Sequence, residues 1–493
     1  MIKTLTAGFL LVLLLPTTGC KWISAVSHGG RGYSEKLLCH TDPGKVTLSL
    51  FSPDRRHVAQ VVKVGEKLAI AVDSKIGQSF DDIEGKSLIF SPDSKRLAYA
   101  AENDGKWTVV LDGAAGKLYE TIRKPGIIFS PDSKRVAYAV QDRGRCFVVV
   151  DGVNGPGYDV VFDPVFSPDS RGLAYGALEF GQLKMFLVLD GQNEKGFDLT
   201  PYFHPNASFG IGGLTFSPDS KRVAYVAELG GKRTFVVDGQ GAGPFDAVRS
   251  VLFSPDSRRV AYTAQLHQDS WEVVVDGKAE GPYLLIRDGS LAFSPDSRRV
   301  GYIAETTFGH FLVNDRNVVV GEVHEKQAVV IDGKQGKAYD YIWSLTFSPD
   351  SQRVAWHAQA DGKHFIVVDG EEKERWDNID SGPVFGPDSH QIAYAARVGA
   401  SVHLVVDGKD RKTDSKNYKQ IGGLLFSPDG RRVAFMADDG AKQFVVVDES
   451  QGKPYGAIPD AAIIFDSPKS LHYAALKKAE PGVDLIVVEE VFF

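Results

Sequence analysis

One short phrase, Phe-Ser-Pro-Asp followed by a basic pair and an apolar run with an aromatic in it, recurs along nearly the whole chain. It dominates what the chain can fold into. Aligned on the turn proline, it falls at Pro53, Pro92, Pro131, Pro168, Pro218, Pro255, Pro295, Pro349, Pro387, Pro428 and Pro468, which makes eleven units. The intervals are 39, 39, 37, 50, 37, 40, 54, 38, 41 and 40 residues. An internal repeat of this kind overrides the prior of about three domains that length alone would suggest. Each unit holds short β-rich runs, such as LTF, RVAYVA, TFVVD and PFDAV, separated by Gly, Asp, Asn and Pro. That is the pattern of successive hairpins, and helical periodicity is absent.

Each repeated position has a physical role. The phenylalanine before the turn occurs in every unit, from Phe51 and Phe90 to Phe465, and should fill the space between neighbouring sheets. Proline sets φ for a tight turn, and Asp or Ser bonds the backbone just beyond it. The second run carries an aromatic such as Tyr99, Tyr138 or Tyr225 in every unit but the first, which has Gln60. The third run usually ends in Val-Asp-Gly, where glycine supplies the positive φ of a second tight turn. Runs such as FVVVD suit strands buried on both faces. The period matches four-stranded propeller blades, so the expected fold is all-β: a β-propeller of about eleven blades. FSPDSKRVAY followed by VVDG resembles the WD40-like repeat with a Pro-Asp signature of TolB-type β-propellers, over about residues 32–490. That resemblance implies the propeller fold and a protein ligand. Unit nine departs from it with FGPDS and unit eleven with FDSPKS, where Lys469 replaces the aspartate.

The fourth run opens with an aromatic in ten units: Phe80, Tyr119, Tyr158, Phe197, Phe245, Tyr283, Tyr339, Trp376, Tyr418 and Tyr455. The chain ends at LIVVEEVFF, on a third strand, so the last unit lacks its fourth. Gly32–Leu38 reads like Gly116–Ile122 and is expected to supply the missing strand and close one ring. Closure removes exposed sheet edges. The alternative is two smaller propellers, which would restore ordinary blade numbers, but no linker or composition break divides the repeats.

Residues 1–19 have a basic Lys3, an apolar core from Phe9 to Leu15 and small residues before Cys20. The core is too short to span a bilayer and reads as a signal peptide. Gly19-Cys20 resembles a bacterial lipobox, with Thr17 where Leu is usual, so Cys20 is the expected lipidation site. An ordinary secreted protein is the alternative. Residues 20–31 then form a lipid-anchored tether and 32–493 the propeller, facing periplasm or exterior. A net charge of −7 shows no basic excess that would suggest nucleic acid. Beyond Cys20 only Cys39 and Cys146 remain, which gives no disulfide framework.

The two long intervals come from insertions, at 200–213 between units four and five and at 305–327 in the second-to-third hairpin of unit seven. Inserted loops on a rigid scaffold are where binding concentrates. Their aromatics and histidines, Tyr202, Phe203, His204 and Phe209 in one and Phe308, His310 and Phe311 in the other, are the expected binding residues; the competing role is structural cover. Basic pairs such as Lys95-Arg96 and Arg258-Arg259 read as a mixed-charge solvated face. No hydrolase elbow, paired-histidine zinc motif or phosphate loop is present, so no catalytic residue, metal or cofactor is expected. The expected function is a non-enzymatic cell-envelope lipoprotein that acts as a binding or scaffold platform for an envelope protein. A glycan- or peptidoglycan-binding propeller is the first alternative and an enzyme at the channel mouth the second.

Overall fold

The computed structural model describes residues 22–23, 31–42, 44–194, 196–199, 208–268, 270–308, 312–313, 319–320, 324–411, 418–480 and 482–493. Eleven antiparallel sheets, one per repeat, form a single closed ring. Blade six shows how the repeat builds a sheet. Its strands are Ala247–Phe253, Val260–His267, Ser270–Val275 and Lys278–Tyr283, each paired with the next. Ser254 Oγ donates to the Asp256 carboxylate at 2.6 Å and accepts the Arg259 N–H at 2.9 Å, which locks the first turn. Asp276 and Gly277 both have positive φ, +52° and +78°, so the second turn is of the I′ kind that matches strand twist. Asp276 also accepts the Val260 N–H at 3.0 Å, tying the end of the third strand to the start of the second.

The second strands are buried on both faces, as Val260–Ala264 illustrate, because each blade is covered by a neighbour on either side. The predicted aromatics meet there. The fourth-strand ring of one blade packs edge-on against the second-strand ring of the next, as in Phe80–Tyr99, Tyr119–Tyr138 and Tyr455–Tyr473. Such pairs contribute about 0.5–1.5 kcal/mol beyond area burial. A second link is polar. The turn aspartate N–H donates to the second turn serine of the next blade at 2.9–3.0 Å in eight successive steps, from Asp54→Ser94 to Asp350→Ser389. In each acceptor the serine holds positive φ, as Ser94 does at +64°.

Closure occurs as expected, and the single ring replaces the two-ring alternative. Arg31–Thr41 pairs antiparallel with Gly482–Phe492 and completes blade eleven. The register differs from the one expected. Tyr33 lies opposite Glu490, and Cys39 lies opposite Leu485, the place that Tyr119 takes opposite Trp107 in blade two. Tyr33 therefore packs with Tyr455 and Tyr473 on the blade-ten side. Long-range contacts set this register: Arg31 forms a buried ion pair with Glu490, and its other nitrogen donates to Val447 O at 2.8 Å in blade ten. The strand begins at Arg31, inside the expected tether, and Trp22–Ile23 pairs with Lys36 and Glu35 on its outer edge. Cys20 lies outside the described residues.

Candidate functional site

Strand order divides the ring into two faces. The first-to-second and third-to-fourth turns of every blade share the turn face; the second-to-third hairpins and inter-blade links share the link face. Both insertions open onto the link face. Tyr202, Phe203, His204, His310 and Phe311 lie outside the described residues. Phe209 is placed in the first strand of blade five, Phe209–Phe216, opposite Leu229. It is half-buried and packs with Leu178, Leu199 and Tyr225. Phe308 ends the second strand of blade seven, Val300–Phe308, opposite His324. Blade eight adds an aromatic stack on the same side. Tyr341, 54% exposed, stacks on Trp343 at 5.8 Å, and Trp343 stacks on His357 at 4.4 Å. His357 Nε2 lies 2.8 Å from His364 Nδ1, and burial pushes the His357 pKa down to about 3.

The turn face is built around arginine. In blades two, three, five, six, seven and eight, the second member of the basic pair reaches across to the next blade. Arg259 shows the geometry: Nε donates to Asp276 at 2.8 Å in its own blade, and Nη1 to the Arg298 carbonyl at 2.8 Å in blade seven. Its guanidinium lies 5.3 Å from the centre of the Phe293 ring. Arg96, Arg135, Arg222, Arg299 and Arg353 sit over Phe129, Phe166, Phe253, Phe347 and Phe385 at 5.1–5.6 Å. The repeated phenylalanine thus serves as a cation–π acceptor as well as a filler. First members such as Lys95 and Lys134 remain exposed beside Asp93 and Asp132, at 3.9 and 3.5 Å, which gives the rim its mixed charge.

Four blades break the arginine row, with His57 in blade one, Gly172 in blade four, Gln391 in blade nine and Ser470 in blade eleven. A cavity lies at the interfaces that follow the first three. The one between blades one and two is about 670 Å³ and includes His57, Asp73, Phe90 and Lys95. The one between blades four and five is about 570 Å³ and includes Leu189, Glu194, Asp198 and Lys221. The third, about 160 Å³, is lined by Gln391, Phe426 and Arg431. The same strand positions line all three. Where the arginine is present, it spans the seam from its own blade to the turn and phenylalanine of the next. The signal was in the sequence: Arg56-His57, Arg171-Gly172 and His390-Gln391 stand where Lys95-Arg96 and its copies stand. Its meaning was hidden because the partner groups lie one repeat further on.

Asp163 lies between the short strands Val160–Val161 and Val165–Phe166 of blade four, and burial raises its pKa. Among the described residues, no group of three or more His, Cys, Asp and Glu side chains is arranged to hold a metal ion.

No protein-family model matches the chain, and no curated protein is similar to it in sequence. Similar solved structures include a eukaryotic initiation factor at 12% identity, covering 73% of this chain and 97% of that one with a TM-score of 0.39. TolB from Acinetobacter baumannii is similar at 14% identity, covering 49% of this chain and 62% of that one with a TM-score of 0.23. The β-propeller domain of the Trilobed protease from Pyrococcus furiosus is similar at 11% identity, covering 59% and 94% with a TM-score of 0.25. At these identities the likeness concerns the propeller fold alone, which hosts many unrelated functions.

Proposed function

We propose that this protein is a non-enzymatic binding platform of the bacterial cell envelope, anchored by lipid at Cys20, whose link face takes a protein partner. One observation carries the reading. Both insertions leave the ring on the link face, where the Tyr341–Trp343 stack is exposed, while the repeated residues of the turn face are engaged in inter-blade contacts. Exposed aromatics on a rigid scaffold are the usual anchors of an interface. The insertion residues Tyr202, Phe203, His204, Phe308, His310 and Phe311 would then border the same surface.

The test is capture from envelope fractions by immobilised wild-type protein and by Phe203→Ala, Phe311→Ala and Tyr341→Ala variants, with melting measured alongside. Reduced capture at unchanged melting is the expected result. Early melting with intact capture would assign the insertions to structural cover and overturn the reading. The exposed Tyr341 ring also gives a glycan reading a foothold, since aromatic faces stack on sugars. Retention on peptidoglycan that is lost in Tyr341→Ala, with no protein captured, would favour that alternative.

A further inference from the structure

The vacated arginine position between blades four and five has a chemistry of its own, on the face opposite the insertions. We propose that this slot binds the guanidinium group of an arginine side chain presented by a partner polypeptide.

The chain itself supplies the template. Six interfaces hold an arginine in one frame: a carboxylate from the same blade, backbone carbonyls from the next blade's turn (two in five of the interfaces, the His390 carbonyl alone for Arg353), and a phenylalanine ring below. In blade four everything but the side chain is retained. Gly172 N–H donates to Ser167 Oγ at 2.8 Å, Leu173 N–H to Asp190 at 2.8 Å, and Asp169 N–H to Ser220 Oγ at 2.9 Å, as in the sister blades. The frame groups at this interface are therefore Asp190, the Ser220 and Lys221 carbonyls and the Phe216 ring. The equivalent carbonyls one interface further on, Ser257 and Arg258, accept Arg222 at 3.2 and 2.9 Å. Among the described residues no donor reaches the Ser220 or Lys221 carbonyl. A planar fork with five donors matches such an array, whereas an ammonium does not.

The chemistry of the lining selects this slot over the other two. The cavity of about 570 Å³ beside this frame meets it at Lys221 and runs along Leu187, Leu189 and Tyr225, a path for the stem of the side chain. Glu194 adds a carboxylate, and among the described lining residues only Lys221 is basic. Asp238, also in the wall, is paired with Arg222 at 2.8 Å. Between blades one and two, His57 already holds Asp73 at 2.6 Å, and Lys75 and Lys95 line the cavity. Between blades nine and ten, Gln391 intrudes and Arg411 and Arg431 line the wall. Both would repel a second cation.

The test uses the full mature protein and calorimetric titration with three probes: a capped Gly-Arg-Gly peptide, its Gly-Lys-Gly counterpart and free L-arginine. The arginine peptide should bind at least about ten-fold more tightly than the lysine peptide, the discrimination expected from two charge-assisted hydrogen bonds. Gly172→Arg restores the repeat, fills the slot from within and should abolish binding while melting no lower than wild type. Asp190→Asn should weaken binding by about ten-fold or more. Equal binding by wild type and a folded Gly172→Arg variant would overturn the proposal, as would equal affinity for the lysine peptide or no binding at millimolar concentrations. Free arginine binding as tightly as the peptide would overturn the polypeptide source. Removing the insertions should leave peptide binding intact, so this result and the link-face reading stand or fall separately.

Discussion

Arg31 is the residue on which closure can be tested most sharply. It is 4% exposed, and its partner Glu490 is fully buried. Its guanidinium lies 3.5 Å from the Glu490 carboxylate, donates to the Val447 and Ser450 carbonyls in blade ten, and covers the Phe492 ring at 5.4 Å. In Arg31→Met the methionine retains much of the apolar stem but leaves two carbonyls without their donor. Among the described residues, the Glu490 carboxylate then keeps the Tyr473 hydroxyl, at 2.8 Å, as its hydrogen-bond donor. Breaking a buried pair from one side costs about 3–5 kcal/mol. For a chain of this size the entropy of unfolding is on the order of 1 kcal/mol/K, so Tm should fall by about 3–5 °C. The pH dependence gives an independent check. Burial already raises the Glu490 pKa and Arg31 opposes that rise, so the variant's carboxyl moves higher still. A raised carboxyl binds its proton more tightly in the folded state, so the variant loses stability as pH rises and regains it on acidification. The gap to wild type should therefore be widest at neutral pH and narrow towards pH 4.5, the ordinary carboxyl value. Adding Glu490→Gln should recover part of the neutral-pH loss. Thermal melts of the three proteins across pH decide the matter. An Arg31→Met variant that melts like wild type at neutral pH would refute the claim that this pair sets the closing register.

Arg259→Ala should cost about 1–2 kcal/mol, because it removes a partly exposed ion pair and an inter-blade hydrogen bond, whereas Arg258→Ala beside it should leave Tm unchanged in the same melts. Burial holds the His357 pKa near 3, below its ordinary 6.5, so the unfolded chain binds the extra proton and stability is lost as pH falls from 6.5 towards 3; His357→Gln should flatten that part of a Tm–pH profile. Cys20→Ser should move the protein from the membrane to the soluble fraction, and identical fractionation of variant and wild type would remove the lipid anchor.

How much was legible in advance follows the range of each interaction. The Ser-Pro-Asp and Val-Asp-Gly turns are local, because Ser254, Asp256 and Arg259 close their own ring of hydrogen bonds within six residues. They repeat in the sequence as they repeat in space. Closure was legible for a different reason: the last repeat lacks a strand and the N-terminus supplies one. Its register was not, because a short strand such as GYSEKLL pairs acceptably in several ways, and the choice rests on Arg31 and Glu490, 459 positions apart. The basic pairs were visible but looked like solvated charge. Arg96 gains its meaning only when Lys134 and Phe129 of the following repeat are placed against it. The candidate slots follow from that and could not be read earlier. Side chains of the predicted binding residues, Phe209 apart, lie outside what the structure describes.

The arginine row also explains how a ring of identical phrases comes to have unequal seams. Between blades four and five the arginine is gone, but the Asp169–Ser220 bond survives. Between blades nine and ten both links are altered: Gln391 replaces the arginine, and Gly430 stands where the accepting serine should be. A polar tie reappears there on the other face. Arg397, paired with Asp380, donates to the Lys419 carbonyl at 2.6 Å across the same seam. The apolar cluster of Leu404, Tyr418, Leu424, Phe426 and Phe435 is continuous beneath it. The seam thus keeps a cross-blade polar contact while the turn face opens. Link-face arginines also bridge seams whose row arginine is intact, as Arg287 does to the Ile342 carbonyl at 2.7 Å, so ties on the two faces vary independently. Substitution within the repeat therefore varies what the turn face presents, while the aromatic and apolar layers keep the ring closed.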